Sequence, residues 1–300
     1  MTTPIIQNVA AELNLPVSPV VSAIAEEIRR RHGMAGVAVL FYGSCLRRPD
    51  ADLDDALLDF YLLVDDYKAA YDKTWLALAN RLLPPNAFYC ESDWNGRRLR
   101  AKYVVISLAD FTRGCGAETE NVSIWARFSQ PARLVWSRDA ATVAAVAEAC
   151  SAAVRTMLGR SWCLLPDTRD AEAVWVRGFQ ETYAAELRPE SSDRAKHIFE
   201  TDRDRYVALA QIVMTELGTP RQPRAQAERD WRRRRRLGKL LNFARLVKAA
   251  FTFDGGVDYV LWKIRRHSGV VIPVSDWQRR HPLLAAPALA WQLYRRGAFR

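Results

Sequence analysis

The sequence predicts a mixed α/β (α+β) fold, with a sheet-forming part over residues 1–138 and a mainly helical part over 139–300. Three observations point to it. Two short apolar runs, 36–42 and 57–64, have the length and the bounding turn residues of buried strands. Asn95-Gly96, between two β-prone runs, is a strong hairpin signal. From about residue 139 the apolar spacing becomes helical and stays so.

Residues 18–31 carry Val20, Val21, Ile24, Ala25 and Ile28 at helical spacing and end in the basic cluster Arg29-Arg30-Arg31. The run from Gly36 to Tyr42 is β-prone and is halted by Gly43-Ser44. A polar, Asp-rich loop follows, and then Leu57 to Val64 reads as a buried strand with one charge, Asp59, inside it. Residues 67–83 look helical, with Tyr71, Trp75, Leu76, Leu78 and Leu82 on one side. Phe88 to Cys90 and Arg100 to Ile106 read as paired strands. Ala140 to Leu158, Ala171 to Glu186 and Asp193 to Leu217 are helical, and the Gly218–Pro223 segment breaks the chain before a basic helix.

Composition narrows the function classes. Hydrophobic residues at 49% and charged residues at 26% are the balance of a folded chain rather than a disordered one. No stretch reaches the roughly 18 uninterrupted apolar residues of a membrane-spanning helix. Residues 1–15 lack the basic start and apolar core of a secretory signal. The five cysteines are scattered with no CxxC pair, which points to reduced thiols in the cytoplasm. The four histidines are equally dispersed, which argues against zinc. The net charge of +10 is unevenly placed: residues 50–66 are acidic and 221–300 strongly basic, which suggests an anionic partner.

The chemistry-bearing pair is Gly43-Ser44, closing one strand, and Asp59, inside the next. Glycine lets a backbone approach a phosphate closely, and a serine hydroxyl with following N–H groups can bond triphosphate oxygens where a helix starts. A carboxylate among apolar strand residues is costly unless paired or bound to metal. Mg²⁺ takes one or two carboxylates plus substrate phosphates and stabilises in-line displacement. Asp65 lies six residues on, roughly 20 Å along an extended strand, too far to share an ion with Asp59. A second ligand must come from Glu91, on the neighbouring strand, or from Glu186.

Several short motifs follow in order: Tyr42-Gly43-Ser44; Leu57-Leu58-Asp59-Phe60 with Val64-Asp65-Asp66; Gly96-Arg97-Arg98 with the run from Lys102 to Ser107; Ala126-Arg127 with Gln130-Pro131; Leu164-Leu165-Pro166; the run from Tyr183 to Arg188; and Lys248 to Thr252 with Tyr259, Lys263 and Ile264. Their order over about residues 40–268 resembles the Tam41-type phosphatidate cytidylyltransferases, the mitochondrial CDP-diacylglycerol synthases and their bacterial relatives. The resemblance implies a nucleotidyltransferase-like mixed sheet followed by a helical domain with a winged-helix-like part. It implies transfer of CMP from CTP to phosphatidic acid or a similar lipid phosphate, with release of pyrophosphate. In that scheme Asp59 and Glu186 bind Mg²⁺, Gly43 and Ser44 hold the triphosphate, Lys102 neutralises phosphate charge, and Arg188 supplies a further cation. The sequence departs from the family at Cys45, where a small glycine is usual, at Glu186, where aspartate is usual, and at Phe253-Asp254-Gly255.

Residues 221–236 hold eight arginines, five of them consecutive from Arg232 to Arg236. They make either a solvated helix face or a surface for anionic lipid. Residues 282–296, from Pro282 through Trp291 to Arg296, are apolar, aromatic and cationic, which suits an interfacial anchor or a core-packing helix. With the resemblance, these features imply a cytoplasmic enzyme peripheral on the cytoplasmic face of a membrane. No stable nucleic-acid partner is expected, because the arginines are bunched on a helix with only Trp231 beside them rather than interleaved with aromatic residues.

Overall fold

The computed structural model describes residues 3–49, 53, 56–186, 192–252 and 273–280. The chain opens with α1 (Pro4–Leu13) and α2 (Pro19–Arg31). Helix α2 starts where the Ser18 hydroxyl accepts from the Val21 N–H and Pro19 fills the first helical position. Its five predicted apolar positions are buried. Strands β1 (Gly36–Tyr42) and β2 (Leu57–Val64) have the limits that the apolar runs predict. Between β2 and the hairpin lie α3 (Tyr67–Ala70) and α4 (Thr74–Leu82). The hairpin pairs β3 (Asn86–Trp94) with β4 (Arg97–Ser107) through Asn95 and Gly96, both at positive φ, the backbone that a tight two-residue turn requires. Then come α5 (Leu108–Cys115), α6 (Trp125–Phe128) and β5 (Ala132–Ser137).

The strands form one five-stranded mixed sheet in the order β3-β4-β2-β1-β5, in which β2 and β4 run parallel and the other neighbours antiparallel. The α/β (α+β) class is thus observed. The helical part follows as α7 (Ala140–Trp162), α8 (Ala171–Ala184), α9 (Ser192–Thr201), α10 (Arg203–Leu217), α11 (Arg224–Thr252) and the short α12 (Asp276–Arg280). Among the described residues after β5 the only elements are helices, so the winged-helix-like part expected within the helical domain is not seen among them.

Side chains alternate across the sheet, and each face has its own core. Val39, Phe41, Phe60, Leu62 and Val105 pack under α2. Leu40, Tyr61, Leu63, Val104 and Ile106 face the other way, into a cluster that runs on through α1, α5 and α7 to α8 and α10. Trp125, Trp162, Trp175 and Trp231 are fully buried there. Helix α7 has the length and composition of a membrane-crossing helix, but 61% of its apolar window is buried inside the protein, as a core helix requires. The five cysteines are buried free thiols.

Three sequence expectations need correction. The helix expected over 67–83 is two short helices, broken at Tyr71-Asp72-Lys73. Its inward face is also different: Trp75, Leu78 and Leu82 are exposed, while Ala77 and Asn80 are buried. The Asn80 amide decides this, donating to the Val105 carbonyl (2.9 Å) and the Tyr71 hydroxyl (2.8 Å) and accepting from the Asn86 N–H (2.9 Å). Bonds of that kind orient a helix more firmly than an apolar row does when only one of the two faces the sheet. The helix expected over 193–217 breaks at Asp202, which instead bonds Arg47.

The α7–α8 packing depends on Gly178, where an added Cβ would lie 2.4 Å from the Ser161 Oγ and 2.7 Å from the Met157 Sδ. Ser161 cannot yield freely, since its hydroxyl donates to the Met157 carbonyl at 2.8 Å. Gly178→Ala is therefore expected to destabilise the fold by about 1–3 kcal/mol through overpacking. A thermal melt checks this, and an unchanged midpoint would mean that the two helices do not meet there.

Candidate functional site

The site begins with strand register. Tyr42 of β1 pairs with Asp59 of β2, Asp59 with Lys102 of β4, and Lys102 with Tyr89 of β3, so four side chains line up in one row across the sheet. The next row inward is Leu40, Tyr61, Val104 and Ala87, which belongs to the larger core or packs against it. The row of Asp59 thus lies where the apolar cover of the sheet gives way to polar groups. Gly43 leaves β1 at φ 93, ψ −168, a conformation that disfavours L side chains. An added Cβ there would lie 3.4 Å from the Asp59 Oδ2, so the turn backs directly onto the carboxylate. Ser44, exposed, opens a four-residue 3₁₀ turn, Ser44–Arg47, rather than a full helix.

Asp59 is half-buried, and burial raises its pKa, with Lys102 and then Arg127 opposing the shift. Among the described residues no cationic nitrogen lies within 4 Å of the carboxylate. The acid is therefore compensated at a distance rather than held in an ion pair.

Arg127, on α6, belongs to the Ala126-Arg127 motif, which by itself gives the side chain no direction. Its guanidinium donates to the Tyr61 hydroxyl at 2.8 Å and lies 5.2 Å from the centre of the Tyr42 ring. Burial would lower its pKa, but Tyr61, Tyr42 and Glu186 outweigh that and raise it. Like Asp59, Arg127 has no ion pair within 4 Å among the described residues. Glu186, just past the end of α8, acts electrostatically on Arg127 and also on Tyr42, whose pKa is raised chiefly by burial. Chain segments far apart in sequence are thus coupled electrostatically, Asp59 with Lys102 and Arg127, and Arg127 with Glu186.

Helix α11 closes the same neighbourhood. Gly238 lets it approach the end of α8: an added Cβ would be 2.7 Å from the Ala185 carbonyl oxygen, next to Glu186. Arg245 donates to the Pro84 carbonyl (3.0 Å) and the Ser123 hydroxyl (3.2 Å). Lys248 donates to the carbonyls of Leu83 and Pro85, the latter at 2.7 Å. Burial, and then Arg245, lower the Lys248 pKa to about 7. Arg245 in turn feels Arg127 and Tyr61.

Of the residues singled out from sequence, Gly43, Asp59 and Lys102 stand together, and Glu186 joins them through Arg127 and Tyr42. Glu91 does not. It lies two strands from Asp59, roughly 10 Å across the sheet and two residues further along. It is engaged by the Tyr89 hydroxyl (2.6 Å) and Arg100 (3.3 Å), so it is not the second ligand. Asp65, at the other end of β2, pairs with Arg138. Arg188 and residues 282–296 lie outside the described residues. Among the described residues no group of three or more His, Cys, Asp or Glu is placed to hold a metal. The acids here therefore amount to the pair Asp59 and Glu186.

The chain is similar to a solved nucleotidyltransferase-like protein from Exiguobacterium sibiricum 255-15, at 13% identity over 93% of this chain and 92% of that chain, with a TM-score of 0.28. At that TM-score the likeness says nothing about chemistry. No family model matches the sequence, and no curated protein matches it.

Proposed function

We propose that the protein is a nucleotidyltransferase that moves CMP from CTP onto phosphatidic acid or a similar lipid phosphate, releasing pyrophosphate. One observation carries the proposal: the Gly43 turn backs onto a half-buried carboxylate, Asp59, in the same sheet row as Lys102. The Tam41-type resemblance of the motifs adds the nucleotide and the acceptor class.

The residues fit Mg²⁺. Asp59 offers a half-buried carboxylate with no ion pair among the described residues, and Glu186, which acts electrostatically on the same Arg127 and Tyr42, would supply the second. A two-carboxylate set suits an ion that completes its shell with water and substrate phosphates. When bound, Mg²⁺ supplies charge neutralisation on the reacting phosphates.

The chain's own groups do the rest. Gly43 leaves room for a phosphate beside the turn, and Ser44 offers a hydroxyl and an N–H. Lys102 and Arg127 neutralise phosphate oxygens, Arg127 being held in place by Tyr61. An oxygen of the lipid phosphate, already ionised near neutral pH, forms a bond to the α-phosphorus. The bond from the α-phosphorus to the bridging oxygen breaks, and that oxygen leaves with pyrophosphate. No strong general base is needed, so positioning and charge dominate. The reaction would take place on the cytoplasmic face of a membrane.

The test is a pyrophosphate-release screen of the four nucleoside triphosphates against several lipid phosphates in the presence of Mg²⁺. Turnover with CTP and phosphatidic acid is expected. Turnover only with a water-soluble acceptor would remove the lipid assignment. If no pair exceeds an Asp59→Asn control, the nucleotidyltransferase reading fails.

A further inference from the structure

Helix α11 divides its arginine run. Trp231 is buried, and its indole N–H donates to the Arg160 carbonyl at 3.3 Å. Arg234 lies beneath the surface beside Glu120, and Arg235 bonds Glu181. The opposite side of the helix faces outward. There Arg229, Arg232, Arg233 and Arg236 are exposed at spacings of three and four residues, Arg233 also pairing with Glu120 at 2.9 Å. The same line continues as Leu240, Phe243, Val247 and Phe251, which are 65, 58, 47 and 65% exposed. One face therefore has a cationic first half and an apolar second half. Where they join, a groove of about 500 Å³ is lined by the four arginines with Leu237 and Leu240.

The apolar half is extended sideways. Arg245 and Lys248 tie α11 to the carbonyls of the Leu83–Pro85 segment that follows α4. Trp75, Leu78 and Leu82 on α4 are exposed at 47, 56 and 74%. So many large apolar groups on two adjoining helices exceed the scattered exposure of an ordinary surface.

We infer that this face of α11, with the exposed row of α4, is where the protein docks on an anionic phospholipid bilayer. The arginine half would lie on the headgroups and the Leu240–Phe251 half would enter the acyl boundary. Charge selects this occupant. Between Asp230 and the end of α11 at Thr252 there is no carboxylate, and residues 281–300 contain none either. After α11 the only acidic side chains are Asp254, Asp258 and Asp276, against the eight arginines of 221–236, and a second copy docked by this same face would meet them with like charge. A sheet of lipid phosphates satisfies both halves. This deepens the membrane placement proposed above, and vesicle binding is read without nucleotide, so it can fail while the catalytic reading stands.

The full chain is to be sedimented with phosphatidylcholine vesicles and with vesicles in which part of that lipid is replaced by phosphatidylglycerol. Binding to the anionic vesicles, weakened by salt, is expected. The exposed double variants Phe243→Ser/Phe251→Ser and Arg232→Glu/Arg236→Glu should each lower it on the order of tenfold or more. Their circular dichroism melts should match that of the unmodified chain, because neither pair is in the core. Three results would overturn the inference: no binding by the unmodified chain, binding by both variants equal to that of the unmodified chain, or self-association that Phe243→Ser/Phe251→Ser abolishes, which would assign the face to a second copy.

Discussion

Asp59→Asn is expected to reduce pyrophosphate release about a thousandfold or more, because the amide keeps the shape of the carboxylate but removes the charge that would hold the divalent ion. The fold should not suffer. Burial raises the Asp59 pKa, so the folded chain retains this proton to higher pH than the unfolded chain does. Such a group lowers stability as pH rises from the ordinary carboxylate value through the raised one, and above that window the whole cost is present. Asparagine carries no such cost, so at neutral pH the variant should melt at or above the temperature of the unmodified protein. Loss of turnover with an unchanged or higher melting point marks a carboxylate kept for chemistry. Normal turnover would sink the metal assignment, and a lowered melting point would mean that Asp59 serves the fold.

Arg127→Met is expected to have the next largest effect, a fall in turnover of about a hundredfold or more, the scale for removing one preorganised donor from developing phosphate charge. Methionine approximates the buried length of the arginine. The described structure shows no carboxylate within ion-pair distance of the guanidinium, so what is lost from the fold is chiefly the bond to Tyr61. That bond is worth about 1–3 kcal/mol, and relief of burying a charge partly offsets it. Tyr61→Phe should fall between the two, since it frees the guanidinium without removing it. Steady-state rates at saturating nucleotide, with thermal melts alongside, check both variants. A rate unaffected by Arg127→Met would show that the cation holds the core and does not meet substrate.

Much of the sheet was legible because its evidence is local. Residues 36–42 and 57–64 are nearly continuous apolar runs closed by turn residues, and both faces of those strands are buried. Asn95-Gly96 marks its hairpin by the positive φ it alone adopts cheaply. The misreading of α4 has the opposite character. Its apolar row is real, but hydrophobicity does not say which side meets the sheet, and Asn80 takes the inward place through its three hydrogen bonds. Strand β5 gave no clear signal because, Ala132 apart, its residues are only partly buried and it lies at the sheet edge. Arg127 was visible as a motif residue, yet α6 is only four residues long and has no periodicity from which a direction could be read.

The amino-acid order alone determined that an acid sits inside an apolar strand and that a Gly-Ser turn ends the strand before it. It also announced the basic helix. What only the tertiary structure decided is their meeting: the register that pairs Tyr42 with Asp59 and Asp59 with Lys102, the arrival of Arg127 and Glu186 from other elements, and the side of α11 that faces outward. The physical reason is that strand alternation has a period of two, so a one-residue slip would turn Asp59 to the other face. Contacts distant along the chain fix that register and the helix faces, and no short window of sequence contains them.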